Sequence, residues 1–133
     1  MRITNNNITE LRPNEIFVFG SNLSGIHGGG AAKLAKDKFG AKLGVSTGVT
    51  GQCYAIPTKS EYIVRTLTIK EIKPYVDDFI SFASENKDYT FLVTEIGCGL
   101  AGLKHEHIAP LFKLVETEDI GNIHLPQKFW DNL

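Results

Sequence analysis

Thirteen glycines are the most unusual feature of this 133-residue chain, and most of them fall into three clusters. The clusters lie in residues 20–30, which end in Gly28-Gly29-Gly30, in residues 44–51, and in residues 97–102. Glycine lets a backbone take positive φ or approach another group closely. A glycine loop that leads into a helix can aim several N–H groups at one anion, because the helix N-terminus has unpaired N–H groups and a partial positive charge. The first and third clusters are therefore candidate phosphate-binding loops.

Three side chains in or beside these loops have chemistry of their own. Asn22 offers an amide that can hold a ribose hydroxyl, although Asn is also a common turn residue. His27 can act as an acid or base near neutral pH, or can simply be a solvated loop residue. Cys98 invites a thiol-nucleophile interpretation, but we favour a small buried residue, because nothing in the sequence places a His beside its sulfur.

Metal ligands are not indicated by the spacing of the histidines and cysteines. His105 and His107 are two positions apart and point to different faces of a helix. Cys53 and Cys98 are 45 positions apart and form no CxxC motif, so the sequence predicts neither a zinc site nor a disulfide.

The elements that must position the two loops follow from the apolar pattern. Continuous apolar runs at residues 16–19 and 91–96 precede the loops, as expected for parallel strands buried on both faces, and apolar residues at helical spacing follow each loop. Further strands are predicted at residues 1–4, 52–57, 61–65 and 122–125. A helix with capping-box spacing at Thr68 and Glu71 is expected to kink at Pro74 or to begin there. The alternation predicts an α/β fold: a three-layer α/β/α sandwich with a mixed, largely parallel sheet, in one domain over residues 1–133.

Composition narrows the functional classes. The net charge of -1 argues against a nucleic-acid partner, and no apolar run is long enough to cross a membrane. No secretory signal pattern is present, so we expect a reduced, cytoplasmic protein.

Residues 97–102 match GxGxxG, but the 31 residues that follow are too few for a Rossmann domain, and residues 25–30 lack the Lys-Ser/Thr of a Walker A loop.

Three blocks, in order, resemble the macrodomain family, whose members bind ADP-ribose and its derivatives. They are the FGSN of residues 19–22 with the glycines at 28–30, the YAIPTK of residues 54–59, and the TEIGCGLAG of residues 94–102. The combination is closest to compact bacterial and phage macro-like proteins. The resemblance implies a macrodomain-like fold, an ADP-ribose-like nucleotide ligand and no other cofactor.

The resemblance also implies which residues contact the ligand. Asn7 stands where the family usually has an Asp that accepts from the adenine amine. The candidate catalytic residues are Asn22, which matches the family motif, and His27, whose place inside the first glycine loop suggests it independently of the family. The implied ligand-binding residues are Asn7, Ser21, Asn22, Gly28, Gly29, Gly30, Gly97, Cys98, Gly99, Leu100, Ala101 and Gly102.

Departures from the family pattern leave the activity open. Many hydrolytic macrodomains have an acidic residue where this chain has Ala32, and Ala101 stands where the family often has an aromatic residue. The leading hypothesis is binding of ADP-ribose or a related NAD-derived nucleotide, with hydrolysis of an ADP-ribose conjugate as a possible activity. The alternatives are sequestration of a nucleotide signal without catalysis and, less favoured, a hydrolase that depends on Cys98.

Overall fold

A five-stranded sheet forms the centre of the protein, whose computed structural model describes residues 2–133. The strands are β1 (Glu15–Asn22), β2 (Gly48–Thr50), β3 (Cys53–Lys59), β4 (Thr90–Val93) and β5 (Ile123–His124). Their order across the sheet is β2-β3-β1-β4-β5, and only the β2–β3 pair is antiparallel. The predicted mixed, largely parallel sheet is therefore confirmed.

The central strand β1 pairs with β3 on one side and with β4 on the other. Its residues 16–19 are all buried, as expected for a continuous apolar run with a layer of packing on each face. Phe17 and Phe19 point to one face and Ile16 and Val18 to the other, because side chains alternate along a strand.

Helices cover both faces of the sheet. They are α1 (Gly30–Lys38), α2 (Ile69–Glu85), α3 (His105–Ile108), α4 (Lys113–Thr117) and α5 (Gln127–Trp130), with 3-10 turns at Glu61–Ile63 and Ala109–Phe112. Ala32 and Ala35 of α1 pack with Phe17 and Phe19 on one face. The other helices from α2 onward pack on the opposite face with Ile16 and Val18. The fold is thus a three-layer α/β/α sandwich, as predicted.

Helix α2 confirms one prediction about its start and excludes another. Thr68 and Glu71 form both hydrogen bonds of a capping box, and Arg65 holds the Glu71 carboxylate through two further bonds. The helix begins at Ile69 and continues through Pro74 to Glu85. It therefore does not begin at Pro74. The capping box stabilises the first turn of the helix, which precedes Pro74.

Two predicted strands are not strands in the structure. Within residues 61–65, Glu61–Ile63 form a 3-10 turn with positive φ at Tyr62 and Ile63, and Thr66 then makes a single bridge with Lys59. Near the N-terminus the pairing is limited to one bridge from Ile3 to Leu125, and Met1 lies outside the described residues. Strand β2 forms the sheet edge beside β3 and is an element that the sequence did not indicate.

The connections around β1 create a place for a ligand. After β1 the chain continues through α1 and reaches β3 on one side of β1. After β3 it continues through α2 and reaches β4 on the other side of β1. Connections that leave a parallel strand in opposite directions open a crevice at the carboxyl ends of the strands, where open α/β sheets bind ligands.

Among residues 2–133, no helix combines the length and apolar character that a membrane crossing requires.

Candidate functional site

A cleft of about 580 Å³ lies at the carboxyl ends of β1, β3 and β4. Both glycine loops line it. The residues of the cleft wall are Gly20, Ser21, Asn22, Ile26, Gly28, Gly29, Gly30, Ala31, Ala32, Thr58, Lys59, Ile63, Thr94, Glu95, Ile96, Gly97, Cys98, Gly99, Leu100 and Ala101. The two loops that the sequence singles out thus face one space.

The first loop presents unpaired backbone N–H groups at the start of α1. Gly29 is the N-cap of this helix, and no side chain caps it. Within the described residues, the backbone N–H groups of residues 28–32 have no acceptor, whereas Lys33 donates to Gly29 O at 3.2 Å. No acidic residue occupies the first turn of α1. This end of the helix therefore has donors and a partial positive charge available to an anion.

Asn22 holds the first loop in shape. Its side-chain Nδ2 donates to Ile26 O at 2.6 Å, and its Oδ1 accepts from the Ile26 N–H at 3.1 Å. The side chain is buried, and Asn22 still lines the cleft. Asn22 therefore positions the loop through both ends of its amide, and one amide hydrogen and one oxygen lone pair remain for a ligand.

The second loop turns sharply and also leaves N–H groups unpaired. Cys98 donates its backbone N–H to Glu95 O at 3.1 Å, Gly102 donates to Gly99 O at 3.0 Å, and Gly97 has φ +76°. The backbone N–H groups of Gly97 and residues 99–101 have no acceptor among the described residues. Successive free N–H groups in a turn with left-handed residues form a concavity that suits anions.

Glycine at position 20 lets β1 and the second loop approach each other. A Cβ there would lie 3.3 Å from Thr58 Oγ1 and 3.4 Å from Gly97 N. On the other side of the cleft, the Leu100 side chain extends to the first loop, and its Cδ1 would lie 2.9 Å from a Cβ at Gly29. Leu100 is 75% exposed, so it reaches from the second loop to the first at the surface of the protein.

Lys59 and Glu95 are the charged residues among the described lining residues. Lys59 ends β3 and makes no ion pair with any of residues 2–133. Sequence reasoning placed Lys59 in a motif but not among the site residues. Its position at the carboxyl end of the strand beside β1 was the signal that could have identified it.

Cys98 lines the cleft as a protonated thiol. Burial, together with the negative charge of Glu95, raises the pKa of this thiol to about 11. A thiolate is the reactive form, so a raised pKa opposes a nucleophilic role at neutral pH. The second cysteine, Cys53, is buried under α1, and burial raises its pKa to about 12.

A smaller cavity of about 220 Å³ adjoins the cleft. Its walls include Asn7, Phe17 and Leu34, and it shares Ala31, Thr94 and Glu95 with the cleft. Asn7 is exposed and lies in this cavity rather than in the cleft itself. The two spaces therefore meet at these three shared residues.

Glu95 is held at this junction by His105, the first residue of α3. His105 Nε2 contacts Glu95 Oε1. Because a carboxylate only accepts hydrogen bonds, Nε2 carries the proton in this pair. The sequence showed both residues near Cys98, but it did not indicate that they pair with each other.

His27 lies away from the cleft. The residue is buried, its Nε2 donates to Lys42 O at 3.0 Å, and its ring packs edge-on against Phe19 at a centroid distance of 5.3 Å. It does not line the cleft, although the adjacent Gly28 does. This placement does not support the predicted acid or base role, because the imidazole is directed into the protein to support the loop.

The other predicted ligand-binding residues are mostly brought together. Ser21 and residues 28–30 line the cleft with residues 97–101, and the Ser21 hydroxyl donates to Ser46 O. Gly102 does not line the cleft and closes the turn instead. Nowhere in residues 2–133 do three or more His, Cys, Asp or Glu side chains gather closely enough to hold a metal ion.

Comparison with known proteins identifies a fold and no activity. No protein-family model matches the chain, and no curated protein matches it. A solved structure described as a protein of unknown function from Bacteroides thetaiotaomicron is similar, with a TM-score of 0.60 and 16% sequence identity. The match covers 89% of this chain and 90% of that one. The likeness supports the α/β architecture over nearly the whole chain.

Proposed function

We propose that this protein binds ADP-ribose or a related NAD-derived pyrophosphate nucleotide. The observation that carries the proposal is the convergence of two glycine loops, each with unpaired N–H groups, on one open cleft. The resemblance of the loop motifs to macrodomains favours ADP-ribose over other nucleotides with two phosphates.

Each loop is assigned one phosphate. The N–H groups of residues 28–32 hold one phosphate at the start of α1, and those of Gly97 and residues 99–101 hold the other. Lys59 contributes one positive charge, and Glu95 offsets it within the lining. Backbone dipoles therefore supply most of the attraction for the two phosphate charges, so the phosphates must fit closely against the loops.

The smaller cavity is assigned to the base. Ile8 and Leu34, both partly exposed, provide apolar contacts for a flat ring, and Asn7 offers an amide oxygen as the acceptor for an exocyclic amine. A base in the smaller cavity would lie next to phosphates in the cleft, because the two spaces share Ala31, Thr94 and Glu95.

Three observations favour binding without turnover over hydrolysis. Ala32 lines the cleft where many hydrolytic macrodomains have a carboxylate, His27 is buried away from it, and the raised pKa of Cys98 keeps the thiol protonated. These residues therefore favour sequestration of a nucleotide over its hydrolysis. A hydrolase dependent on Cys98 has no support from this environment.

Calorimetry tests the binding proposal. We expect saturable binding of ADP-ribose at one site per chain, with AMP at least about tenfold weaker because it can fill only one phosphate position. NAD and cyclic ADP-ribose are the informative further ligands. Absence of binding by every pyrophosphate nucleotide would overturn the proposal.

A second experiment separates a binder from an enzyme. The protein is incubated with an ADP-ribosylated peptide or with NAD, and products are followed by chromatography. We expect the ligand to be recovered intact in stoichiometric complex with the protein. Release of free ADP-ribose over many turnovers would instead support the hydrolase hypothesis.

A further inference from the structure

Glu95 lies where the two cavities meet, and it shares this place with Ala31 and Thr94. In any nucleoside 5′-diphosphate the ribose connects the base to the phosphates. A ligand with its base in the smaller cavity and its phosphates at the glycine loops therefore places its base-proximal ribose beside these three residues. This placement of the ribose rests on the proposed function.

Of the three shared residues, Glu95 has the side chain best suited to form hydrogen bonds with a sugar. Thr94 Oγ1 donates to Val18 O at 2.8 Å, so its hydrogen is already used, and Ala31 has no polar side chain. Glu95 keeps one carboxylate oxygen beyond the one that contacts His105, and about a third of its side chain is exposed. A carboxylate accepts strongly from hydroxyl groups.

His105 gives this carboxylate a fixed direction. Its Nε2 contacts Glu95 Oε1, and its ring packs against Phe129 at a centroid distance of 6.2 Å. Phe129 is fully buried, so the imidazole is anchored to the core through α5. A carboxylate that is already oriented loses less conformational freedom when it binds a hydroxyl.

We propose that Glu95, positioned by His105, accepts hydrogen bonds from the base-proximal ribose hydroxyls and excludes nucleotides that carry a phosphate on that ribose. A 2′-phosphate brings a charge of about −1.5 to −2 next to a carboxylate and removes a hydroxyl donor. The protein therefore selects the NAD series of ligands over the NADP series. Lys59, the cation of the cleft, is not among the residues that line the smaller cavity.

The test compares ADP-ribose with 2′-phospho-ADP-ribose by calorimetry. For the unmodified protein we expect a preference of at least about 30-fold for ADP-ribose, since two like charges placed side by side in a binding site weaken binding by at least this factor. Glu95→Gln removes the charge while keeping the shape. It is expected to weaken ADP-ribose binding, to strengthen binding of the phosphorylated ligand, and to bring the preference to within about threefold.

Two further variants test the positioning role and provide a control. His105→Phe should lower the preference because it releases Glu95, whereas His105→Gln should restore much of it by supplying an N–H donor. Glu106→Gln removes an equivalent charge from an exposed neighbour outside both cavities, and it should leave the preference unchanged.

The outcomes separate this inference from the proposed function. If the unmodified protein binds both ligands within about threefold, or if Glu95→Gln leaves the preference intact, the role of Glu95 is wrong and the phosphate loops are unaffected. If ADP-ribose does not bind at all, the proposed function fails and this inference fails with it.

Discussion

Adding side chains to the two glycine loops is the sharpest mutational test of the phosphate site. The double variant Gly29→Val with Gly99→Val should fold and lose ligand binding. Gly29 has φ −155° and ψ 164°, an extended conformation that valine adopts readily, and Gly99 has no positive φ. A Cβ at Gly99 would meet no atom within 4 Å, and one at Gly29 would meet only the Leu100 Cδ1 at 2.9 Å.

The expected costs of this change differ greatly between folding and binding. Leu100 is mostly exposed and can swing aside, so the main folding cost is a poorer N-cap, about 1 kcal/mol of unfolding free energy. That corresponds to a fall in Tm of about 5 °C. Loss of one charge-assisted hydrogen bond at each loop costs about 1.5–3 kcal/mol, so the Kd for ADP-ribose should rise at least about 100-fold.

The assay is calorimetric titration with ADP-ribose, accompanied by thermal unfolding of each variant. Gly121→Val is the matched control, because a Cβ at Gly121 also meets nothing within 4 Å and the residue lies outside the cleft. Its Kd should stay within about twofold of the unmodified protein. A folded double variant that binds within about threefold of the unmodified protein would refute the assignment of phosphates to the loops.

Three other changes test separate parts of the site and the fold. Lys59→Met should raise the Kd about tenfold and flatten its dependence on salt, as measured by titration at two ionic strengths, because it removes the unpaired cation of the cleft. Cys98→Ser should leave binding unchanged, and alkylation of Cys98, followed by mass spectrometry, should be slow at neutral pH and should keep accelerating until it levels off near the thiol pKa of about 11. The pair with Arg65 and the Thr68 cap lower the pKa of Glu71 from 4.5 to about 2, so this carboxylate stabilises the fold above pH 4.5 and loses its contribution as the pH falls toward 2. Glu71→Gln should therefore lower the Tm at pH 6 and should flatten its decline in acid, as measured by thermal unfolding across that range.

The strands and loops around the cleft could be predicted because their signals are local. The apolar run at residues 16–19 and the glycines that follow it identify a buried strand and its loop without any long-range information. The convergence of the loops follows from parallel pairing, since the carboxyl ends of β1 and β4 lie at the same edge of the sheet.

Residues 61–65 show where local patterns mislead. Their apolar and β-branched residues are typical of a strand, yet the segment is held by bonds to other parts of the chain. Tyr62 N donates to Ser24 Oγ at 2.8 Å, and Arg65 is bound to the capping Glu71. These tertiary contacts override the strand preference, and the sequence alone does not reveal them.

Side-chain placement was the least predictable part of the site. His27 and Gly28 are neighbours in a glycine loop, yet one is buried against Phe19 and the other lines the cleft. The pairing of Glu95 with His105 depends on where α3 packs against the second loop. Such directions are decided by packing between elements, which a spacing pattern does not encode.

The central claim is that backbone N–H groups from both loops hold one ligand, and an NMR titration of the ¹⁵N-labelled protein with ADP-ribose tests it most directly. We expect the amide signals of residues 28–32 and 97–101 to shift together, with one shared Kd that matches calorimetry. Saturable binding that leaves either group of amides unmoved would contradict the account.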